Sequence, residues 1–177
     1  PEIVPTAGRL AALDIAGRRI PVVCSIVDQQ AALCGHGCRK PGVLKITFGT
    51  GTFALALTGE APVTDRDGLL PTVAWRLGDA PPLYALDGGD YTAAAAVEWA
   101  ASIGLASGVE DFGFGDCPAA LERGLVFVPA LAGLAAPYWD RGAAGAFMGL
   151  RQSTTPADLR QAVLEGVALR AAELLGG

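Results

Sequence analysis

The sequence is poor in lysine, in histidine and in long apolar runs. Lysine occurs only at Lys40 and Lys45, histidine occurs only at His36, and the 177 residues carry a formal net charge of −5. We therefore expect no basic surface for nucleic acid, so a phosphate would be held by backbone amides, hydroxyls or a metal. Although 51% of the residues are hydrophobic, no run approaches the about 20 apolar residues of a membrane span. These features predict a soluble globular chain that binds neither nucleic acid nor membranes.

Several motifs that mark common enzyme classes are also missing. No Gly-Lys-Ser/Thr follows a glycine-rich turn, and no GxGxxG fingerprint opens a helix. No Gly-x-Ser-x-Gly elbow accompanies His36, the single imidazole. A Walker A loop, a dinucleotide fold and a serine–histidine triad are therefore not indicated.

The four cysteines predict neither disulfides nor a metal site. The chain begins at Pro1 without a charged and apolar leader, so we expect reduced thiols and a cytoplasmic location. Cys34, His36 and Cys38 lie within five residues but would need a fourth ligand, and neither Cys24 nor Cys117 has the spacing of a zinc module. We predict small buried cysteines and a histidine at a helix end.

The first half of the chain predicts strands and one early helix. An apolar run at 19–27 is typical of a strand buried on both faces, and helix-forming residues follow at 29–37. The run 43–59, interrupted by Gly49–Gly51, predicts a hairpin with a tight turn. Further runs at 69–77 and 83–86 would extend the hairpin into an antiparallel meander.

The second half predicts helices around one more strand. A helix is expected at 92–105, a buried strand at 125–129, and a second helix from Thr155, which is followed by Pro156 and Asp158 as in well-capped helices. This alternation indicates an α/β layered domain whose sheet mixes antiparallel and parallel pairs. The buried face predicted for the helix at 92–105 contains Ala96, Val97, Ala100 and Ile103.

Asp28 lies where the first predicted strand gives way to a helix, the usual place for ligand-facing residues in open α/β sheets. Its carboxylate could accept the proton of a substrate hydroxyl while the Gln29 amide bonds a neighbouring oxygen. An aspartate at this position is also typical of a helix N-cap without a catalytic role. The residues alone leave both interpretations open.

Two glycine-rich loops also allow two interpretations each. The turn Gly49-Thr50-Gly51-Thr52 could bring backbone and hydroxyls close to phosphate oxygens, or it could be an ordinary hairpin turn. The aromatic pair Tyr138 and Trp139, followed by Asp140, could line a pocket or attach its loop to the core.

The order of the motifs is more specific than any one of them. Gly145-x-Phe147-x-Gly149-Leu150, then seven residues, then Asp158-Leu159-x-x-Ala162-Val163-Leu164-Glu165 is similar to a family signature. From about Arg19 to Glu173, the chain resembles the FGGY family of carbohydrate kinases and, within it, the glycerol kinases. The matching segments are DQQAALCGHGC, PGVLKITFGTGTF, LTGE, GLLPTVA, YALDGG, VFVPALAGLAAPYWD and GAFMGL.

This resemblance implies a fold and a set of site residues. The fold is an incomplete α/β domain of the ribonuclease-H-like type, as in actin, hexokinase and Hsp70 ATPases. Asp28 matches the catalytic base and Gln29 matches a residue that bonds another substrate hydroxyl. Thr50, between Gly49 and Gly51, matches the threonine that contacts the transferred phosphate and ADP. Phe53 matches an aromatic residue that packs on the carbon backbone of the polyol.

Three positions depart from the pattern of the glycerol kinases. Ala94 and Glu98 stand where these enzymes usually have Gly and Gln near the nucleotide, and both are still expected at the nucleotide. Ala144 stands where an arginine usually precedes a Gly-Ala pair, and Arg141 could compensate.

The resemblance also implies a reaction and partners. Residues 1–27 would cross from a first kinase domain, and 28–177 would form part of the C-terminal domain, so the chain alone is expected to be inactive. The implied reaction is phosphoryl transfer from ATP, with Mg²⁺, to a polyol hydroxyl, converting glycerol to glycerol 3-phosphate in a homo-oligomeric enzyme. A kinase for another sugar such as a pentulose, and a noncatalytic ATPase-fold binding module, are the alternatives. Retention of Asp28 argues against the binding module.

Overall fold

The computed structural model describes residues 3–64, 68–113 and 118–176. Within these ranges, strands, three α-helices and a short 3₁₀ helix at Val109–Asp111 alternate along the chain. The bounds are β1 (Ala7–Ile15), β2 (Arg18–Cys24), α1 (Asp28–Gly35), β3 (Leu44–Phe48), β4 (Thr52–Gly59), β5 (Leu70–Trp75), β6 (Leu83–Asp90), α2 (Ala94–Ser102), β7 (Val126–Val128), β8 (Ala146–Met148) and α3 (Pro156–Gly176).

The strands of the described residues form three sheets. β1 pairs with β2 and β7 pairs with β8, both antiparallel, and the remaining strands form a sheet in the order β3-β4-β6-β5. The predicted meander is therefore wrong in its order, because β6 lies between β4 and β5. Pro71 gives a physical reason: it lies in β5 and lacks an N–H to donate, so this strand suits an edge position.

The chain divides into two compact units, each with its own core. The first contains β1, β2, α1, β5, the end of β4 from Leu55 and the start of β6 up to Asp87. The second contains the Gly49–Gly51 turn and the chain from Gly88 onwards. The core of the first is Leu33, Cys38, Leu55, Leu57, Ala74, Trp75 and Ala85. The main core of the second is Ala96, Ala100, Ala120, Leu125, Phe127, Ala162 and Val163.

Two predictions of burial are wrong. The strand expected at 19–27 exists as β2, but Ile20 and Val23 are 45% and 58% exposed. β2 pairs with β1 in a two-stranded sheet, so neither face meets a second layer within the described residues. Ile103 is also exposed because α2 ends at Ser102, whereas Ala96 and Ala100 are fully buried as predicted.

Helix α3 begins as the sequence predicts. The backbone N–H and the hydroxyl of Thr155 donate to the Asp158 carboxylate at 2.8 and 2.7 Å, and the Asp158 N–H donates to the Thr155 hydroxyl at 3.3 Å. This reciprocal arrangement is a capping box. Further along α3, a Cβ at Gly166 would lie 2.4 Å from the Phe127 carbonyl oxygen, so glycine allows close packing on β7. None of the helices in the described ranges has both the length and the apolar character needed to cross a bilayer.

Candidate functional site

Asp28 is the first residue of α1 and its side chain is exposed. Its carboxylate accepts a hydrogen bond from the Gln29 backbone N–H at 2.8 Å and lies 3.5 Å from Gln29 Nε2. The N-cap residue is Val27, in an extended conformation and without a side-chain cap, so Asp28 is not the N-cap. A negative charge in the first turn is favourable at the positive end of the helix dipole. The carboxylate is thus held at one oxygen while it remains open to solvent.

A buried lysine holds the other end of the Gln29 side chain. Lys45 on β3 is only 6% exposed, and its Nζ donates to Gln29 Oε1 at 2.5 Å. Burial lowers the pKa of Lys45, and the negative charges of Asp28 and Asp87 oppose this change. Burial also raises the pKa of Asp87, opposed by the charge of Lys45. The first unit therefore places one ammonium among two carboxylates and an amide.

Lys45 and Asp87 were missed because they lie within strand-forming runs. Lys45 stands between Leu44 and Ile46, and Asp87 follows Ala85 and Leu86. A charged residue inside an apolar strand is rarely buried unless it is paired, and the sequence does not show whether these two side chains face solvent or the interior.

In the second unit, the Gly49–Gly51 turn is attached to the start of α2. The amides of Ala93–Ala95 donate to the carbonyl oxygens of Gly49 and Thr50 at 2.9–3.2 Å. These bonds replace a side-chain cap, which α2 lacks. The turn is therefore fixed on the helix, and Thr50 lies exposed at its tip.

Gly51 is required by a close approach of two backbone segments. A Cβ at this position would lie 2.3 Å from the Asp90 carbonyl oxygen, whereas one at Gly49 would meet nothing closer than 3.8 Å. Asp90 is almost fully buried, with Oδ1 3.4 Å from Nη2 of Arg170. Burial raises the pKa of Asp90, and the Arg170 guanidinium opposes this. Arg170 also donates to the Ala136 carbonyl oxygen at 2.9 Å. Buried polar contacts therefore hold the Asp90 segment against which Gly51 packs.

The remaining predicted site residues lie on exposed positions of the second unit. Ala94 and Glu98 are one helical turn apart on α2, and both are exposed. Phe53, at the start of β4, is 41% exposed. A Cβ at Gly89 would approach its ring to 3.1 Å, so the glycine leaves space for this ring. The structure thus places these residues at the surface, where a ligand can reach them.

The loop that carries Tyr138 and Trp139 is attached to its own unit. Trp139 Nε1 donates to the Gly68 carbonyl oxygen at 2.7 Å, and the Tyr138 hydroxyl contacts the Glu173 carboxylate. The Arg170 guanidinium lies 5.4 Å from the centre of the Tyr138 ring. These contacts favour the attachment of the loop over pocket lining.

Arg141, the predicted substitute for the arginine absent at Ala144, lies 5.2 Å from the centre of the Tyr91 ring. Tyr91 belongs to the short segment between β6 and α2. Arg141 therefore contacts the segment that precedes α2, and its role as a substitute stays a prediction.

The cysteine cluster is structural in the first unit. Cys38 is buried, with Sγ 3.6 Å from the Leu44 carbonyl oxygen, and Cys34 is half-buried against the same core. His36 is the C-cap of α1, as predicted. No group of three or more His, Cys, Asp and Glu side chains that could hold a metal occurs among the residues that the structure describes.

A cavity of about 490 Å³ in the second unit does not involve the predicted site residues. Its lining includes Arg123, Arg151 and Asp158, beside the start of α3. Arg123 is paired with the Asp158 carboxylate. The charges in this cavity are therefore partly neutralised within the protein.

Residues 44–177 match the FGGY family of carbohydrate kinases, C-terminal domain. The chain belongs to this family. It has the mixed α/β fold that FGGY kinases share with the actin- and hexokinase-like ATPases, so the predicted fold class is confirmed.

Individual relatives agree with this assignment. The chain is 40% identical over 192 aligned positions to glycerol kinase of Synechocystis sp., covering 99% of this chain and 37% of the relative. It is 47% identical over 167 positions to glycerol kinase of Myxococcus xanthus, covering 88% and 32%. The crystal structure of Plasmodium falciparum glycerol kinase with ADP matches with a TM-score of 0.84 and 30% identity, covering 99% and 36%. The chain therefore spans about a third of the length of each relative.

Proposed function

We propose that the chain is the C-terminal-domain part of a longer ATP-dependent kinase that phosphorylates a hydroxyl group of glycerol. The observation that carries this proposal is the exposed Asp28 carboxylate at the start of α1, beside the Gln29 amide that Lys45 holds. The similarity to glycerol kinases over nearly the whole chain supports the choice of substrate.

Asp28 would act as the general base. An exposed carboxylate can accept the proton of an attacking hydroxyl, a step that contributes about 10²–10⁴-fold in rate. Its hydrogen bond with the Gln29 backbone N–H fixes the direction of the carboxylate. The Gln29 side chain would bond a second hydroxyl, and the Phe53 ring would contact the carbon backbone of the polyol.

The Gly49–Gly51 turn would contact the nucleotide phosphates through the Thr50 hydroxyl. The amides of Ala93–Ala95 already donate to the turn, so we assign phosphate contact to the exposed side of the turn. Ala94 and Glu98 face outwards from the same helix and would lie near the nucleotide. Phosphoryl transfer of this kind depends on positioning and charge stabilisation rather than on a covalent intermediate.

The donor set fits the Mg²⁺ that such a reaction requires. Mg²⁺ in kinases is usually bound by one or two carboxylates together with substrate phosphates rather than by a protein cage. The exposed Asp28 carboxylate would lie near this ion without being its only carboxylate ligand. When bound, Mg²⁺ would neutralise charge on the transferred phosphate.

The proposal extends to the organisation of the whole enzyme. We assign residues 1–27 to the crossing from a first domain and 28–177 to part of the C-terminal domain, and we expect this chain alone to be inactive. A cytoplasmic, homo-oligomeric enzyme is the proposed context. The two compact units do not coincide with this assignment, because residues 1–45 all belong to the first unit. The boundary between residues 27 and 28 therefore stays a prediction.

A kinase for a pentulose is the second candidate, favoured by Ala94, Glu98 and Ala144, which depart from the glycerol kinase pattern. ATP consumption by the full-length protein should be measured with glycerol and with a panel of pentuloses and hexuloses. We expect glycerol to give the highest kcat/KM. If a pentulose gave the highest kcat/KM, glycerol would be refuted as the substrate, and phosphoryl transfer from ATP to a sugar would stand. ATP binding without turnover on any sugar would refute the kinase proposal and favour the noncatalytic module.

A further inference from the structure

Three side chains of the first unit form a continuous series of polar contacts. Lys45 Nζ donates to Gln29 Oε1, and Gln29 Nε2 lies 3.5 Å from Asp28 Oδ2. The Gln29 backbone N–H donates to the other oxygen of the same carboxylate at 2.8 Å. A buried lysine is thereby connected to the proposed base through one amide group.

The donors and acceptors of this series allow only one orientation of the Gln29 amide. A lysine ammonium can only donate hydrogen bonds, whereas an amide side chain has an acceptor end and a donor end. With Lys45 at Oε1, the NH₂ end of Gln29 must face Asp28. Rotation of the amide by half a turn would bring two donors together at Lys45 and two acceptors together at Asp28.

Resting on the proposed function, we propose that Lys45 is a positioning residue that fixes the Gln29 amide so that its NH₂ group faces Asp28 and the substrate hydroxyl. Lys45 acts through Gln29 and does not itself touch the substrate. Its place on β3 supports this role, because a strand within a sheet moves less than a loop and Lys45 is 6% exposed.

The charges around Lys45 support the same role. The ammonium is buried, and Asp28 and Asp87 are the carboxylates whose charges stabilise it. A buried ammonium without such partners would be costly. The same arrangement supplies positive charge on the side of Gln29 that faces away from Asp28.

A double-mutant cycle in the full-length kinase tests this role. Lys45→Met, Gln29→Ala and the double variant should be assayed with the polyol that the wild type phosphorylates. Loss of a hydrogen bond from a charged group should lower kcat/KM by about tenfold to a hundredfold in Lys45→Met. If Lys45 acts through Gln29, its replacement in the Gln29→Ala background should change kcat/KM by less than about threefold.

Two further variants separate positioning from loss of structure. Lys40→Met removes the other lysine, which is exposed, and should leave kcat/KM within about threefold. Lys45→Gln keeps an N–H donor towards Gln29 and should therefore retain more activity than Lys45→Met. If Lys45→Met does not give a cooperative unfolding transition, the cycle is completed with Lys45→Gln, for which non-additivity with Gln29→Ala is again expected.

Two results would overturn the inference while the proposed function stands. The first is that the wild type is active and that Lys45→Met and Lys45→Gln both keep its full kcat/KM. The other is a Lys45 effect that is equally large with and without the Gln29 side chain, because that pattern indicates a general structural role. A wild type that phosphorylates no polyol would instead refute the proposed function.

Discussion

At the scale of single residues, Gly51 shows how one missing side chain shapes the proposed phosphate turn. The site of its absent Cβ lies 2.3 Å from a backbone oxygen of Asp90, so any side chain here would clash with that segment. The segment that contains Asp90 is held by the buried Arg170 guanidinium. Substitution must therefore displace the turn itself.

Gly51→Ala should destabilise the protein and weaken nucleotide binding. Overpacking of this kind costs about 1–3 kcal/mol, and displacement of Thr50 should raise the Kd for ATP by about tenfold or more. Urea unfolding and calorimetric titration of the full-length protein measure the two effects. Gly35→Ala at the end of α1 is the matched control, since nothing lies within 4 Å of its Cβ position. Equal behaviour of the two variants would contradict the account.

The sequence predicted some single residues and not others. Asp28 and the Gly49–Gly51 turn were singled out because a strand end and a glycine turn are common places for ligand-facing groups, and the family resemblance favoured that interpretation; their roles stay predictions. Lys45 could not be singled out in this way, because an apolar strand around a lysine does not reveal whether its ammonium faces solvent or the interior. The structure decides this by placing Gln29 against Nζ.

At the scale of elements, the start of α3 depends on one carboxylate. The hydrogen bond from Arg123, together with the backbone and side-chain bonds from Thr155, lowers the pKa of Asp158 from 3.8 to about 2. Because the native state favours the ionised form, this contribution to stability is present above about pH 4 and is lost as the pH falls through about 2.

Asp158→Asn should therefore lower the free energy of unfolding by about 1 kcal/mol at neutral pH, as loss of a helix cap does. The difference from the wild type should shrink between about pH 4 and pH 2, where the wild-type carboxyl becomes protonated. Urea unfolding across this range checks the prediction. Asp14→Asn, an exposed position on β1, is the control and should change little. A difference as large at pH 2 as at neutral pH would contradict the assigned cause.

Elements were easier to predict than their arrangement. Local signals found the hairpin and the start of α3, because turn glycines and capping residues act within a few positions. Strand order depends on contacts between distant segments, and here β6 separates β4 from β5. Pro71 indicates an edge strand, because proline has no N–H to donate. The predicted meander placed β5 inside the sheet and did not take this into account.

At the scale of the whole molecule, the polar residues of the proposed reaction divide between two compact units. Asp28, Gln29 and Lys45 belong to the first, and Thr50 with the start of α2 belongs to the second. The family could be predicted from the order of the motifs, because the motifs are distributed over both units. The substrate could not be predicted in this way, since the chain spans only about a third of the length of its relatives.

The most direct measurement is kcat of Asp28→Asn in the full-length enzyme with its preferred polyol. Asparagine keeps the shape and an acceptor oxygen for the Gln29 N–H but cannot take up the proton. We expect kcat to fall by about a hundredfold or more while the Kd for ATP changes by less than about threefold. Asp79→Asn, at an exposed turn of the first unit, should retain full activity. A kcat for Asp28→Asn within about threefold of the wild type would contradict the assignment of Asp28 as the base.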